Sequence, residues 1–301
     1  MKSKTLQSKW AAMLTGVLAA GLLLAGCGGS TSGSAQDSGK QETAFEKAKR
    51  QGYVTVGFAN EKPYAYAAPD GKLTGEAVEV ARAVLKNLGI KEVNGVLTEF
   101  GSLIPGLKAK RFDIITAGMY ITPERAKQVD FANPEYSIGE AIAVKKGNPM
   151  NLHSYKDIAA NSEVKVGVMG GAIEIDYLKK SGVSDSQIVI VSDQPSAINA
   201  LQAGRVNAIT MTGPSLQAVM DSAKDPSIER VMDFEQPVID GKSIRGYGAA
   251  VFRQGDDDFR QAYNEELKKL EDSGELLNIL SPFGFTKQEL PGGKTAEELL
   301  K

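Results

Sequence analysis

Residues 101–147 read GSLIPGLKAKRFDIITAGMYITPERAKQVDFANPEYSIGEAIAVKKG, and the order of patterns in this stretch sets the fold class. Gly101 to Lys110 carries apolar residues at helical spacing. Phe112-Asp113-Ile114-Ile115-Thr116-Ala117 then reads as a buried strand. Thr122-Pro123-Glu124 starts a new helix, with threonine as its N-cap and proline at its first helical position. Helix, buried strand and helix in succession are the building unit of an α/β protein.

The same alternation extends outward in both directions. Upstream, Ala44 to Gln51 predicts a short helix, Tyr53 to Phe58 a strand, Pro69 to Leu73 a hairpin turn, and Glu76 to Leu88 a helix stopped by Gly89. Val93 to Glu99 is strand-like. Downstream, Val164 to Met169 predicts a strand, Gly170-Gly171 a tight turn, and Ala172 to Lys180 a helix. Strands follow at Ile188 to Ser192, Asn207 to Met211 and Gly246 to Arg253, with helices at Pro195 to Ala203 and Asp257 to Asp272. This order predicts parallel sheets with helices on both faces. Segment 106–119, GLKAKRFDIITAGM, is echoed by ALQAGRVNAITMTG at 200–213. Two similar α/β halves account for the echo; a chance likeness between two βαβ units is the alternative.

The N-terminal region reads differently. Lys2, Lys4 and Lys9 precede a 16-residue apolar run, Ala11 to Gly26, and the first acid is Asp37. The run is shorter than the roughly 20 residues needed to span a bilayer and fits a secretory signal. It ends in Leu24-Ala25-Gly26-Cys27, and Cys27 is the chain's single cysteine. Residues 28–43, GGSTSGSAQDSGKQET, read as a flexible tether. Cleavage before Cys27 would leave 275 residues, with 32 basic against 37 acidic side chains once the three lysines are gone, a net charge of about −5. That balance gives no support to nucleic-acid binding. The exported part would have no cysteine pair, so its cores must hold it together. The one histidine, His153, lies in a polar stretch and reads as a surface residue. No metal-ligand spacing and no Ser-His or Cys-His constellation is visible, so no metal and no cofactor is expected.

Ligands of α/β sheets bind beyond the C-terminal ends of the strands, which selects 58–64, 117–125, 169–174 and 210–213. Glu61 and Tyr64 follow the first strand directly, on a loop stiffened by Pro63. Phe100 follows another strand and Tyr120 sits between strand and helix. Arg125 lies in the first helical turn, where a cation opposes the helix dipole unless an anion is near. It either holds a ligand carboxylate or pairs with a neighbour such as Asp130. The three aromatics are either core caps or the walls of a cage for a delocalised cation. Gly170-Gly171 either presents N–H groups to a small carboxylate or is a simple turn.

Taken together, GFANEKPYAYAAPDGKLTGEAVEVARAVLKNLG, the 101–147 stretch and GRVNAITMTG resemble the extracellular solute-binding proteins of polar amino-acid-type ABC uptake systems, over about residues 45 to 290. The Cys27 context resembles the lipobox of bacterial lipoproteins, which implies a lipidated N-terminus anchored at the cell surface or the periplasmic face. The family resemblance implies an α/β, two-lobe, type II periplasmic-binding-protein fold with the ligand cleft between lobes. Hinge crossings are expected near 138–146 and 238–250. The implied division is a signal at 1–26, a tether at 27–43, lobe 1 at 44–140 and 248–290, lobe 2 at 146–238 and a tail at 291–301. The implied role is capture of a small zwitterion by lobe closure, as a monomer, for delivery to a membrane permease, without catalysis. Amino-acid binders of the family clamp the α-amino group with aspartates, but the matching positions here are Ala59 and Thr212. The departures resemble the subgroup that binds ectoine and hydroxyectoine. That likeness implies a ligand set of Glu61, Tyr64, Phe100, Gly118, Tyr120, Arg125, Ile173 and Thr212. An amino acid or betaine-like ligand is the alternative, and a cyclohexadienyl-dehydratase-like enzyme on the same fold is a third.

Overall fold

A computed structural model describes residues 42–239 and 241–301 of the chain. The signal segment, Cys27 and the tether up to residue 41 lie outside the described residues. Thr43, assigned to the tether, already belongs to the fold: it caps the Ala44–Gln51 helix in a reciprocal capping box with Glu46.

Two sheets organise the molecule. The first runs, edge to edge, Glu92–Leu97, Tyr53–Phe58, Ile114–Tyr120, Gly246–Phe252 and Asp130–Phe131, with Tyr136–Ile138 also paired to Gly246–Phe252. The second runs Ile188–Val191, Val166–Met169, Ala208–Thr212, Glu140–Lys145 and Ile228–Arg230. In each sheet the first three strands are parallel and the next is antiparallel. The sheets are therefore mixed rather than purely parallel. The reason lies in the crossings: each antiparallel strand arrives from the opposite lobe and enters its sheet reversed.

The segments 106–119 and 200–213 both lead into the third strand of their sheet, between a parallel and an antiparallel neighbour. Their likeness therefore marks two halves of similar plan. Within these strands adjacent residues point to opposite faces. Ile114 packs with Val80, Val84 and Phe259, while Ile115 packs with Leu103 and Leu107. In the second lobe Ala208 and Ile209 divide in the same way.

Several boundaries move. Glu140–Lys145, expected within a hinge, is a buried strand of the second sheet, so the first crossing narrows to Gly139 between Ile138 and Glu140. The return strand starts at Gly246, where the sequence pattern places it, so the chain re-enters the first sheet two residues before the expected lobe boundary at 248. Residues 291–301 are not a free tail: Ala296–Leu299 is helical, Ala296 is buried in the first lobe, and its N–H donates to Asn133. The two crossings are tied together by Gln236, whose amide accepts from the Glu140 N–H at 2.7 Å and donates to the Glu140 carbonyl at 2.8 Å. Arg245 adds a second tie, donating to the Ser137 hydroxyl and carbonyl.

Candidate functional site

A cavity lies between the two sheets, and all eight residues singled out from the sequence line it: Glu61, Tyr64, Phe100, Gly118, Tyr120, Arg125, Ile173 and Thr212. They come from the C-terminal ends of strands and the turns that follow, as the rule for α/β sheets requires. The first lobe supplies Glu61 to Arg125, and the second supplies Ile173 and Thr212.

The Glu61–Tyr64 loop is fixed from below. The first N–H groups of the Glu76–Asn87 helix, at Glu76 and Ala77, donate to the carbonyls of Pro63 and Tyr64. Tyr64 is buried and stacks on Tyr136, with ring centroids 5.4 Å apart. Gly118 must be glycine here: its φ is +63°, and a Cβ would lie 2.5 Å from the Tyr64 ring. The Tyr120 ring packs against Gly246 of the return strand, and the Tyr136 ring against Gly248. These two glycines were not read from the sequence as site residues, although GYG at 246–248 is a visible alternation of small residues in a buried strand.

Arg125 is the only cationic side chain lining the cavity among the described residues. Thr122 caps its short helix by accepting from the Arg125 N–H. The guanidinium donates to the Tyr120 carbonyl at 2.9 Å and, across the cleft, to the Gly171 carbonyl at 3.0 Å. It also lies 5.6 Å from the Phe100 ring centre. Arg125 does not pair with Asp130. Gly170-Gly171 does not open a helix directly either: the helix begins at Glu174, and Gly171 offers Arg125 a carbonyl.

Hydrogen bonds cross the cleft at two further points. The Tyr64 hydroxyl and Thr212 Oγ1 are 2.6 Å apart. Ser215 and Gln194 donate to Glu61 Oε1 at 2.8 and 3.1 Å, and both also reach the Lys62 carbonyl. The lobes are thus closed on one another. Gln194 and Ser215 were missed in the sequence, because each sits in an ordinary helix start that gives no sign of facing the other lobe.

Two buried carboxyls line the cavity, Glu61 and Glu174, and a third, Glu140, is buried outside its lining. Burial pushes Glu61 up to about 8, the nearby Glu174 adds to the rise, and the Ser215 and Gln194 hydrogen bonds oppose it. Glu140 and Glu174 are also raised, first by burial. Neither Glu140 oxygen has a hydrogen-bond partner. Two carboxylates cannot bond to each other; the pair bonds only when one holds a proton. The arrangement thus offers one guanidinium fork for a carboxylate, an aromatic wall for a delocalised cation, and an acid, Glu61, to balance that cation. Among the described residues no His, Cys, Asp or Glu group is arranged to hold a metal ion.

The sequence matches the family described as bacterial extracellular solute-binding proteins, family 3, over residues 54–286. It is 38% identical over 259 residues to a probable amino-acid ABC transporter periplasmic-binding protein, y4tE, of Sinorhizobium fredii, covering 85% of each chain. It is 30% identical to the arginine-binding extracellular protein ArtP of Bacillus subtilis, covering 90% of this chain and 96% of that one. Among solved structures, EhuB in complex with hydroxyectoine is similar at a TM-score of 0.79 and 37% identity, covering 86% of this chain and 98% of EhuB. These neighbours share the two-lobe, type II periplasmic-binding-protein fold. No helix among the described residues is long and apolar enough to cross a membrane. With fold, cleft and sequence in agreement, the chain belongs to the bacterial extracellular solute-binding proteins, family 3.

Proposed function

We propose that the protein captures ectoine or hydroxyectoine between its lobes and hands it to the permease of an ABC importer. The observation that carries this reading is the convergence of Arg125, Glu61 and the rings of Tyr64, Phe100 and Tyr120 on one cavity. Ectoine carries a ring amidinium and a carboxylate. The delocalised cation suits an aromatic surface, worth about 0.5–2 kcal/mol per contact, and Glu61 balances its charge. The carboxylate suits the Arg125 fork. Gly118, Ile173 and Thr212 complete the proposed contacts. The likeness to EhuB supports the same ligand class. Catalysis is no part of this reading. Capture is by a monomer, held outside the cytoplasmic membrane by a lipid on Cys27.

A second reading, a basic amino acid, is favoured by one observation: two buried carboxyls, Glu61 and Glu174, share the cavity with a single guanidinium. The likeness to an arginine-binding relative fits it. Against it, the family's usual aspartates for an α-amino group are replaced by Ala59 and Thr212, and a buried unpaired ammonium costs several kcal/mol.

A thermal-shift panel of ectoine, hydroxyectoine, glycine betaine and the amino acids decides between them. A ligand present at 100 times its Kd stabilises by about 2.7 kcal/mol, a rise of roughly 5–10 °C for a protein of this size. Ectoine or hydroxyectoine is expected to give that rise. A rise with L-arginine and none with either ectoine would overturn the ligand assignment.

A further inference from the structure

Two helix starts of the second lobe meet one loop of the first. Gln194 opens the Gln194–Gln202 helix, where Asp193 does the capping by accepting from the Ser196 N–H at 2.7 Å. Ser215 lies in the first turn of the Gly213–Ala223 helix. Both side chains are buried. Among the described residues, neither the amide nitrogen of Gln194 nor the hydroxyl of Ser215 has a partner on its own lobe except the other. Gln194 Nε2 lies 2.6 Å from Ser215 Oγ, 3.1 Å from Glu61 Oε1 and 3.2 Å from the Lys62 carbonyl. Ser215 Oγ lies 2.8 Å from the same Glu61 oxygen and 3.0 Å from the same carbonyl.

The set is complete in hydrogens. The amide brings two and the hydroxyl one, and three acceptors meet them: Ser215 Oγ, Glu61 Oε1 and the Lys62 carbonyl. The amide is also fixed one way round. Its oxygen in the place of Nε2 would face Glu61 and the Lys62 carbonyl without a hydrogen between them. Glu61 Oε1 is thus committed to the second lobe. Glu61 Oε2 takes no hydrogen bond among the described residues and, unlike both Glu140 oxygens, is not sealed from the space around it. Glu61 and Gln194 line the ligand cavity, whereas Ser215 lies outside its lining.

We propose that Gln194 and Ser215 are positioning residues for Glu61: on closure they hold its Oε1 and leave Oε2 to face the cationic part of the ligand. This role rests on the functional reading that puts a ligand cation at Glu61, and it holds for any zwitterion bound that way round. The donors belong to the second lobe, and Glu61 and Lys62 to the first, so the set forms only when the lobes meet. Its loss therefore speeds the departure of the ligand and leaves the rate of arrival at the open cleft unchanged.

The test is a mutant cycle read by calorimetry with ectoine and with L-arginine, on Ser215→Ala, Gln194→Leu, Glu61→Ala and the double variant Glu61→Ala/Ser215→Ala. Stopped-flow tyrosine fluorescence supplies the rates, and thermal unfolding checks folding. Ser215→Ala and Gln194→Leu are each expected to bind at least about tenfold more weakly, through faster dissociation, since each leaves buried groups unpaired. In the Glu61→Ala background Ser215→Ala is expected to cost about threefold at most, because the group it positions is gone. An equal loss in both backgrounds would give Ser215 a structural role only and overturn the proposal, as would a loss carried by the association rate. It also fails, while the reading of Glu61 stands, where Glu61→Ala is weakened but Ser215→Ala and Gln194→Leu both bind within about threefold of wild type. A Glu61→Ala affinity within about threefold of wild type overturns the reading of Glu61 as the cation's partner, and the positioning role with it. If only L-arginine binds, the ectoine assignment fails and the same cycle with arginine decides the role of the pair.

Discussion

Arg125→Ala is expected to weaken ligand capture by at least ~2 kcal/mol, about 30-fold in Kd, with little change in the stability of the unliganded protein. Among the described residues Arg125 is the only cation lining the cavity, and its guanidinium is already oriented by the Tyr120 and Gly171 carbonyls. Little side-chain freedom is therefore left to lose when the ligand arrives. Removing it leaves a ligand carboxylate in a cavity lined by the buried Glu61 and Glu174, with no cationic side chain among the described residues beside it. The cost is mostly that of an unpaired buried charge, which exceeds the net worth of the pair itself. Arg125→Lys should recover only part of the loss, because a point charge cannot reproduce two parallel hydrogen bonds. Calorimetry with ectoine checks this, and an Arg125→Ala affinity within threefold of wild type would remove Arg125 from the site.

Gly246→Ala is expected to damage both fold and site. An added Cβ would stand 1.7 Å from a carbon of the Tyr120 ring, far inside contact distance. The strand cannot give way easily, since Gly246 is paired with Ile138 on one side and its neighbours are paired with Tyr120 and Met119 on the other. Tyr120 must move instead, and it is both a buried core residue and a cavity wall. Overpacking of this kind costs about 1–3 kcal/mol, or several degrees in Tm, and the displaced wall should weaken ectoine binding at least tenfold. The cause can be isolated. In a Tyr120→Ala background the ring is gone, so adding Gly246→Ala should cost much less stability than it does in wild type. Full additivity of the two losses would show that the glycine matters for some other reason.

The fold was legible because its strands and helices are local patterns. Ile114 and Ile115 face opposite layers of one buried strand, Thr122 and Pro123 mark a helix start, and the 106–119 and 200–213 echo marks corresponding strands of two sheets. The direction of Glu140–Lys145 was not legible. An apolar run such as Ala141 to Val144 says that a strand is buried, but its direction depends on the crossing that delivers it. The first-lobe half of the site was visible because Glu61, Tyr64, Phe100 and Tyr120 stand at strand ends, Arg125 opposes a helix dipole, and the family resemblance joins them into one ligand set. The partners supplied by closure were not visible. Gln194 and Ser215 obey every local rule, and only the meeting of two lobes gives them Glu61 as a neighbour.

A crystal structure of the protein with ectoine tests the central claim most directly. A carboxylate is expected in the fork of Arg125, with the ring enclosed by Tyr64, Phe100 and Tyr120 and its cationic edge turned to Glu61. A bound ligand whose carboxylate lies away from Arg125, with those three rings turned from the cleft, would contradict it.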